Sequence, residues 1–262
     1  MTPLSPPDAQ TVEHVVDDLA RSRSVLFVTG AGMSADSGLP TYRGVGGLYN
    51  RGETEEGFAI EEMLSGETFR RKPEWTWKYL REVEQACRGA SFNRGHAVIA
   101  EMERHFPRVW VLTQNVDGFH YAAGSRNVIP IHGDLRHVRC TGCDHRETVS
   151  DYTHLGELPR CAACQAVLRP DVVLFGEMLP ADAMRELKAQ LREGFDLTFS
   201  VGTTSAFPYV AFPVELAVQR GKPSVEINPG TTRVSDLATH RLALTASVAL
   251  EAIWARYRER NG

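Results

Sequence analysis

The sequence predicts an α/β fold in which a mostly parallel β-sheet carries helices on both faces and two insertions form a smaller second lobe. Short apolar runs, typical of strands covered on both faces, alternate with segments whose apolar residues recur at helical spacing. A glycine-rich turn follows the first of these runs, and two Cys-x-x-Cys pairs interrupt the alternation. The 262 residues suffice for one large domain together with one small domain.

The first helix and strand lead into the glycine turn. Residues 11–21 place apolar side chains at helical spacing, and residues 25–29 form the first buried strand. Gly30, Gly32 and Ala35 then have the spacing that lets backbone N–H groups approach a pyrophosphate at a helix N-terminus. The same spacing also arises by chance in loops, so the motif alone does not assign a nucleotide site.

A long loop replaces the second strand of an ordinary dinucleotide-binding unit. Residues 37–40 break the helix after the turn, and residues 43–57 contain five glycines and no strand-like run. Such a loop beside a phosphate-binding turn is more often a functional lid than filler. Arg43 is the only cation between Arg23 and Arg51, so it is either a phosphate or ribose ligand or a solvated loop arginine.

Polar residues follow the next two predicted strands. Residues 60–89 are helix-rich and aromatic, and these aromatics either pack a helical lobe or line a substrate groove. After a helix at residues 93–105, one strand ends at Gln114-Asn115-Val116-Asp117-Gly118 and the next ends at His132-Gly133. Ligands of open α/β sheets bind at the carboxyl ends of the strands, so both clusters are expected to face the crevice beside the glycine turn.

The four paired cysteines predict a metal site. Cys140 and Cys143 are separated from Cys161 and Cys164 by seventeen residues, and four thiolates in this arrangement suit a closed structural zinc ion. Iron or a redox disulfide is the alternative. Cys87 stands alone on a predicted helix and is interpreted as a small buried hydrophobic residue.

The rest of the chain completes the alternation of strands and helices. Strand character is predicted at residues 169–177, 195–201 and 224–227, and helices at residues 182–193 and 247–258. We expect a disordered N-terminus at residues 1–10, a large domain of residues 11–42, 93–135 and 178–262, and a small domain of residues 43–92 and 136–177.

Composition excludes several classes of partner. The net charge is -4 and no block of Lys and Arg occurs, so the sequence lacks the electrostatic footprint of a nucleic-acid-binding protein. No stretch approaches about eighteen consecutive apolar residues, so no membrane span is expected. The first residues lack a basic and apolar leader, which favours a cytoplasmic location and, for the cysteines, metal over disulfides.

Taken together, these motifs resemble the sirtuin family in order and spacing, over about residues 12–257. The motifs are Gly30-Ala31-Gly32-Met33-Ser34, Gly38-Leu39-Pro40-Thr41-Tyr42-Arg43, Thr113-Gln114-Asn115-Val116-Asp117, His132-Gly133, the two cysteine pairs, Val173-Leu174-Phe175-Gly176-Glu177 and Gly202-Thr203. The resemblance implies an NAD-dependent protein lysine deacylase with a Rossmann-like large domain and a small zinc-ribbon and helical domain. In that reaction the acyl-lysine oxygen attacks C1′ of the nicotinamide ribose, nicotinamide leaves, and free lysine and O-acyl-ADP-ribose are formed.

The resemblance also implies roles for individual residues. His132 matches the general base that takes a proton from a ribose hydroxyl, and Asn115 is the second residue expected to act in catalysis. The NAD-binding residues are expected to be Gly30, Ala31, Gly32, Ser34, Tyr42, Arg43, Gln114, Asn115, Asp117, His132, Gly202, Thr203, Ser205, Asn228 and Val248. The acyl-lysine substrate is expected to contact Val45, Trp77, Leu80, Val173, Phe175, Gly176 and Glu177, and Cys140, Cys143, Cys161 and Cys164 are expected to bind zinc.

Departures from the family pattern bear on the acyl group. Thr41 and the glycines after it look like the branch that removes acidic acyl groups, which recognises the carboxylate with a Tyr-x-x-Arg pair on a helix. Trp77 and Leu80 stand at those two positions here, and they would leave a buried carboxylate unpaired. The sequence therefore predicts neutral acyl groups, acetyl first, unless a one-residue shift of the helix brings Arg81 into the pocket.

Other functions stay open at this point. The chain could prefer longer or acidic acyl groups, or cleave NAD as a glycohydrolase or ADP-ribosyltransferase, although neither of the last two activities needs the peptide groove at residues 173–177. It could also be an NAD-responsive binding module whose zinc ribbon recruits partners. The expected partners are acyl-lysine proteins or peptides, with neither nucleic acid nor membrane, and the expected state is a monomer.

Overall fold

The protein is described by a computed structural model over residues 4–40 and 54–261. Its strands are β1 (Ser24–Thr29), β2 (Arg108–Thr113), β3 (Val128–Pro130), β4 (Gly133–Cys140), β5 (Arg146–Thr148), β6 (Leu168–Val172), β7 (Leu197–Val201), β8 (Ser224–Ile227) and β9 (His240–Leu242). Its helices are α1 (Pro6–Ala20), α2 (Gly32–Ala35), α3 (Ile60–Met63), α4 (Gly66–Arg71), α5 (Pro73–Cys87), α6 (Arg94–His105), α7 (Phe119–Ala122), α8 (Ala181–Glu193), α9 (Pro208–Gln219) and α10 (Ala246–Asn261). None of these helices combines the length and the apolar composition needed to cross a membrane.

Six strands form a parallel sheet in the order β3-β2-β1-β7-β8-β9. β1 lies between β2 and β7, and Val28 pairs with Leu112 on one side and with Ser200 on the other. From β1 the chain adds β2 and β3 on one side and later β7, β8 and β9 on the other side, so the direction in which strands are added reverses beside β1. A ligand crevice is expected at the carboxyl ends of the strands at such a reversal.

Helices cover both faces of this sheet, which confirms the predicted α/β class. Alternate residues of β1 point to opposite faces, so Val25 and Phe27 pack with α1, α6 and α10 whereas Leu26 and Val28 pack with α8 and α9. All four of these side chains are fully buried. Phe27 also stacks on Phe199 of β7, with ring centroids 4.8 Å apart.

A three-stranded antiparallel sheet, in the order β5-β4-β6, has a hydrophobic core of its own. Trp77 of α5 is fully buried there, donates its indole N–H to the Leu168 carbonyl (2.8 Å) and contacts Tyr152 edge-on, with centroids 5.4 Å apart. Helices α3, α4 and α5 supply the remaining side of this core. The predicted boundaries between a large and a small domain stay a prediction.

Several elements differ from the sequence-based expectations. Helix α1 begins at Pro6, because Pro6 is suited to the first helical position and Ser5 Oγ accepts the Asp8 N–H (3.3 Å), so residues 6–10 are helical rather than disordered. Helix α9 was not predicted, since it is apolar around its circumference and contains Pro213. The strand predicted at residues 169–177 ends at Val172.

Candidate active site

The turn after β1 packs directly against the end of β7. The Gly32 N–H donates to the Gly202 carbonyl (2.8 Å), and Ala31 between the two glycines precedes α2. A Cβ atom on Gly30 would lie 2.7 Å from Thr203 Cβ, and one on Gly32 would lie 2.7 Å from Gly202 Cα. Glycine is therefore required at both positions for the two loops to approach each other, independently of any approach to phosphate.

Asn115 and Asp117 line the crevice from the end of β2. The Asn115 amide donates to the Gly30 carbonyl (3.0 Å) and to Ser34 Oγ (3.1 Å). The Ser34 hydroxyl donates in turn to Asp117 Oδ2 (2.7 Å), and the Phe119 N–H donates to Asp117 Oδ1 (2.9 Å). These bonds join the turn after β1 to the loop after β2 and bring three of the predicted NAD-binding side chains together.

The Asp117 carboxylate keeps acceptor capacity for a ligand. Burial raises its pKa, whereas the hydrogen bonds from Ser34 and Phe119 act in the opposite direction and the like charge of Asp134 adds to the effect of burial. A carboxylate offers about four acceptor positions, of which these two bonds use only part. An amide NH2 of a ligand is the kind of donor that suits the remaining positions.

Thr203 joins the ends of β2 and β8 on the other side of β1. The Gln114 side-chain amide donates to Thr203 Oγ1 (2.8 Å), and the Asn228 amide donates to the Thr203 carbonyl (3.1 Å). The Gln114 backbone N–H continues the ladder to the Thr29 carbonyl (3.0 Å). Polar groups at the ends of β1, β2, β7 and β8 therefore converge on one crevice, whereas the sequence predicts convergence of the ends of β1, β2 and β3.

His132 lies two residues after the end of β3, and both of its ring nitrogens have partners. Nδ1 lies 3.0 Å from the Gln114 carbonyl, and Nε2 lies 2.7 Å from the hydroxyl of Tyr209 on the first turn of α9. Because a carbonyl only accepts, Nδ1 carries the proton and Nε2 presents the lone pair. Burial lowers the pKa of His132, and the Gln114 carbonyl partly offsets this by stabilising the charged ring. The ring is therefore a neutral base at neutral pH.

Tyr209 is a site residue that the sequence analysis missed. Its ring stacks on Phe207, with centroids 5.5 Å apart and an interplanar angle of 13°, and Phe207 meets the His132 ring edge-on at 6.2 Å. The available signal was position, because an aromatic-Pro-aromatic run follows the carboxyl end of a parallel strand.

The segment after β6 is joined to His132 and to the loop between α3 and α4. The Val173 N–H donates to the His132 carbonyl (2.9 Å). The Phe175 N–H donates to the Leu64 carbonyl (2.9 Å), and the Phe175 carbonyl accepts from the Gly66 N–H (3.0 Å). One edge of this segment is thus already paired, while the Phe175 side chain is 40% exposed.

The rest of this segment is fixed by a buried ion pair. Arg169 donates to both carboxylate oxygens of Glu177 (2.7 and 2.9 Å), and Glu177 Oε2 also accepts the Leu174 N–H (3.0 Å). Arg169 itself is only 5% exposed. Gly176 turns the chain between these anchors with a φ of 79°. The Glu177 side chain therefore faces inward, toward Arg169.

Some predicted site residues lie away from the crevice or outside the described residues. Ser205 is fully buried, with its Oγ 3.4 Å from Ser200 Oγ. Trp77 and Leu80 belong to the core of the three-stranded sheet, and Val248 lies half-exposed on α10. Outside residues 4–40 and 54–261 lie Thr41, Tyr42, Arg43 and Val45.

The four paired cysteines have the geometry of a zinc site. Their sulfur atoms all lie within 4.8 Å of one another, with Cys140 and Cys164 3.4 Å apart and Cys143 and Cys161 3.7 Å apart. Tetrahedral zinc with Zn–S bonds of about 2.3 Å separates its sulfurs by about 3.8 Å, whereas a disulfide would bring them to about 2.05 Å. The Gly142 N–H donates to Cys140 Sγ (3.3 Å), as expected around a thiolate. The donor set fits one structural Zn²⁺ ion.

Two buried histidines lie behind the crevice. His120 Nε2 lies 3.0 Å from Thr29 Oγ1, and the rings of His96 and His120 contact each other with centroids 4.8 Å apart. Neither His96 Nε2 nor His120 Nδ1 has a hydrogen-bond partner in the part of the chain that the structure describes. Burial lowers the pKa of His96 to about 4, and burial together with the neighbouring His96 lowers the pKa of His120 well below its ordinary value. Both rings are therefore neutral in the native state.

The buried pair is expected to make the fold acid-sensitive. Between pH 6.5 and pH 4 the unfolded chain binds a proton at His96 that the native state excludes, so stability falls as the pH falls. From pH 7 to pH 5 the free energy of unfolding should fall by about 2 kcal/mol because of His96. Urea unfolding at the two pH values should show a smaller loss for His96→Gln than for the wild type, while His154→Gln at an exposed site should match the wild type. An unchanged loss in His96→Gln would contradict the assignment.

The sequence and the structure match known proteins. Residues 30–207 match the model of the Sir2 family. The chain is 52% identical over 229 residues to NAD-dependent protein deacylase 2 of Pseudomonas aeruginosa, covering 86% of this chain and 89% of that protein. It is 38% identical over 246 residues to NAD-dependent protein deacylase 1 of Archaeoglobus fulgidus, covering 92% and 96% of the two chains.

Solved structures agree with these sequence matches. A crystal structure of a Sir2 homolog in complex with NAD superposes with a TM-score of 0.83 at 36% identity, covering 95% of this chain and 94% of the other. A Sir2 complex with p53 peptide and NAD⁺ superposes with a TM-score of 0.81 at 28% identity, covering 94% and 98%.

Proposed function

The chain belongs to the Sir2 family and is an NAD-dependent protein deacylase, and we propose that it removes neutral acyl groups from lysine side chains, acetyl first. The observation that carries the proposal is the His132 ring, a neutral base beside the Asn115, Ser34 and Asp117 network at the end of β2. Relatives that share more than a third of its residues over most of their length are named as deacylases of this kind.

NAD supplies the ribose that receives the acyl group and the nicotinamide that leaves. In this proposal His132 Nε2 accepts the proton of a ribose hydroxyl, because Nδ1 already carries a proton and donates it to the Gln114 carbonyl. Asp117 accepts the carboxamide NH2 of nicotinamide, and Asn115 orients the ribose while bound to Ser34. Gly202, Thr203 and Asn228 lie toward the adenosine end of the crevice.

The acyl-lysine peptide is proposed to bind along residues 173–177. The exposed Phe175 side chain flanks the peptide. Leu174 already bonds to Glu177 through its N–H and its carbonyl, so an added strand would pair with the remaining backbone groups of residues 173–177. The Arg169 and Glu177 ion pair fixes the end of the segment after its turn at Gly176. Acyl-lysine proteins are accordingly the proposed partners, and the monomeric state and cytoplasmic location stay predictions.

The preference for neutral acyl groups rests on α5. Trp77 and Leu80 offer no donor to a carboxylate, because the Trp77 indole N–H is already bonded to the Leu168 carbonyl. The Arg81 guanidinium donates to the Tyr152 and Leu155 carbonyls (3.0 Å each), so it is held away from any ligand. A buried succinyl carboxylate without a cation would lose several kcal/mol of solvation.

We expect the enzyme to remove acetyl far faster than succinyl from one lysine peptide. The ratio of kcat/KM should exceed about 100, since an unpaired buried charge costs at least about 3 kcal/mol. Mass spectrometry of the peptide in acetyl, propionyl, butyryl, lactyl and succinyl forms, with and without NAD, measures the ratio and identifies the nucleotide product.

Two outcomes of this experiment would contradict the proposal. Equal kcat/KM for acetyl and succinyl peptides in the wild type would remove the acyl preference. Nicotinamide released while every peptide stays unchanged would instead favour the rival activity, NAD cleavage or ADP-ribosyl transfer.

A further inference from the structure

The hydroxyl of Tyr209 is hydrogen-bonded to Nε2 of His132, the only basic atom of the proposed general base. Its Oη is 2.7 Å from His132 Nε2, while the other ring nitrogen is bonded to the Gln114 carbonyl. Tyr209 lies in the first turn of α9, after the loop that leaves the carboxyl end of β7, so it belongs to the same edge of the sheet as the crevice. The roles proposed above give it no function.

The direction of this hydrogen bond follows from its surroundings. Nδ1–H donates to the Gln114 carbonyl, so Nε2 accepts and the Tyr209 O–H donates. Burial raises the pKa of Tyr209 to about 12 and lowers that of His132, so both groups are neutral at neutral pH. A hydroxyl that donates its proton to nitrogen still has lone pairs that accept a hydrogen bond from a second hydroxyl.

We propose that Tyr209 is a proton relay, through which the ribose hydroxyl of NAD transfers its proton to His132. The inference rests on the proposed function. In the step, the ribose O–H bond breaks and its proton bonds to Tyr209 Oη, while the original Tyr209 O–H bond breaks and its proton bonds to His132 Nε2. The ribose oxygen keeps the electron pair, Tyr209 is neutral before and after, and His132 becomes the imidazolium.

The packing around Tyr209 suits a fixed relay. Phe207 stacks on the Tyr209 ring at 5.5 Å and also contacts the His132 ring edge-on, so the three rings hold one another in place. The helix that carries Tyr209 is anchored by Val210, which is fully buried against the six-stranded sheet. A proton path of two short transfers needs this fixed alignment of donor and acceptor.

The test compares two steps of the reaction in Tyr209→Phe. Loss of nicotinamide moves no ribose proton, so exchange of labelled nicotinamide into NAD, in the presence of acetyl peptide, should stay within about twofold of the wild type. Deacetylation requires the proton transfer and should fall at least about tenfold, through kcat rather than the KM for NAD. A purely structural role would lower both rates together.

The control is a second histidine–tyrosine pair of the same kind. Tyr257 of α10 has its Oη 3.2 Å from Nε2 of His105 at the end of α6, so Tyr257→Phe removes a comparable hydroxyl without touching the crevice. Thermal unfolding checks that both variants are folded. Deacetylation by Tyr209→Phe at the wild-type rate, or exchange and deacetylation falling equally, overturns the relay. Failure of the wild type itself to deacetylate would overturn the proposed function instead.

Discussion

Deacetylation by a His132→Ala variant is expected to fall by about 10²–10⁴-fold, the contribution typical of a general base. His132 Nε2 is the basic atom at the crevice, and the alanine side chain leaves neither a lone pair nor a ring for Tyr209 to contact. The Gln114 carbonyl loses only one partner, so the strand ends should keep their positions. The loss should therefore appear in kcat for deacetylation, with NAD still bound.

The measurement is formation of deacetylated peptide and O-acetyl-ADP-ribose by mass spectrometry, alongside calorimetric titration with NAD. His137→Ala is the matched control, because this exposed histidine lies on β4 only five residues away. A His132→Ala enzyme as active as His137→Ala would mean that another group is the base. An unchanged biological effect of the inactive variant would support the rival interpretation, an NAD-responsive binding module.

Removal of zinc is expected to unfold the three-stranded sheet and to abolish activity. The four thiolates tie the end of β4 to the turn before β6, and apparent binding free energies for structural zinc are about 10–16 kcal/mol. β4 begins at Gly133, next to His132, and the chain leaving β6 donates the Val173 N–H to the His132 carbonyl. Loss of the sheet therefore removes support from the base itself.

Hydrogen exchange followed by mass spectrometry locates the effect. After chelation, or in Cys161→Ser, amide protection should be lost over β4, β5 and β6 but retained over β1, β2 and β7. Cys87→Ser is the control, since this half-buried thiol lies outside the four-cysteine cluster. Activity that survives complete extraction of zinc would contradict the expected coupling.

The sequence was sufficient for the elements whose pattern is local. The apolar strands β1, β2, β7 and β8 and the four cysteines have strong periodic or spacing signals, and each was predicted. Helix α9 was not, because its exposed side carries the apolar residues Phe212 and Val218 and so gives no polar face to reveal the helical period. β9 is only three residues long and is stabilised by pairing with β8, which a linear pattern does not reveal.

The position of the site in the fold could be predicted from the sequence, whereas several of its side-chain contacts could not. The rule that ligands bind at strand carboxyl ends brought Asn115, Asp117 and His132 together correctly in space. Tyr209 escaped because its role depends on a distance to His132, 77 residues earlier in the chain. The glycine motif shows a second limit of prediction from sequence. Its spacing suggests room for a phosphate, but the structure shows that Gly32 is also required for close packing against Gly202.

The hydrogen bond between the Val173 N–H and the His132 carbonyl bears on how this enzyme could be re-engineered. This hydrogen bond joins the proposed peptide-binding segment to the proposed general base, so under these roles the two cannot be changed independently at that point. Libraries aimed at new target proteins would do best to vary the exposed Phe175 side chain, which projects from a backbone already paired with Leu64 and Gly66. Under the proposed roles, a change of backbone at Val173 would alter both the rate of deacylation and the choice of target protein.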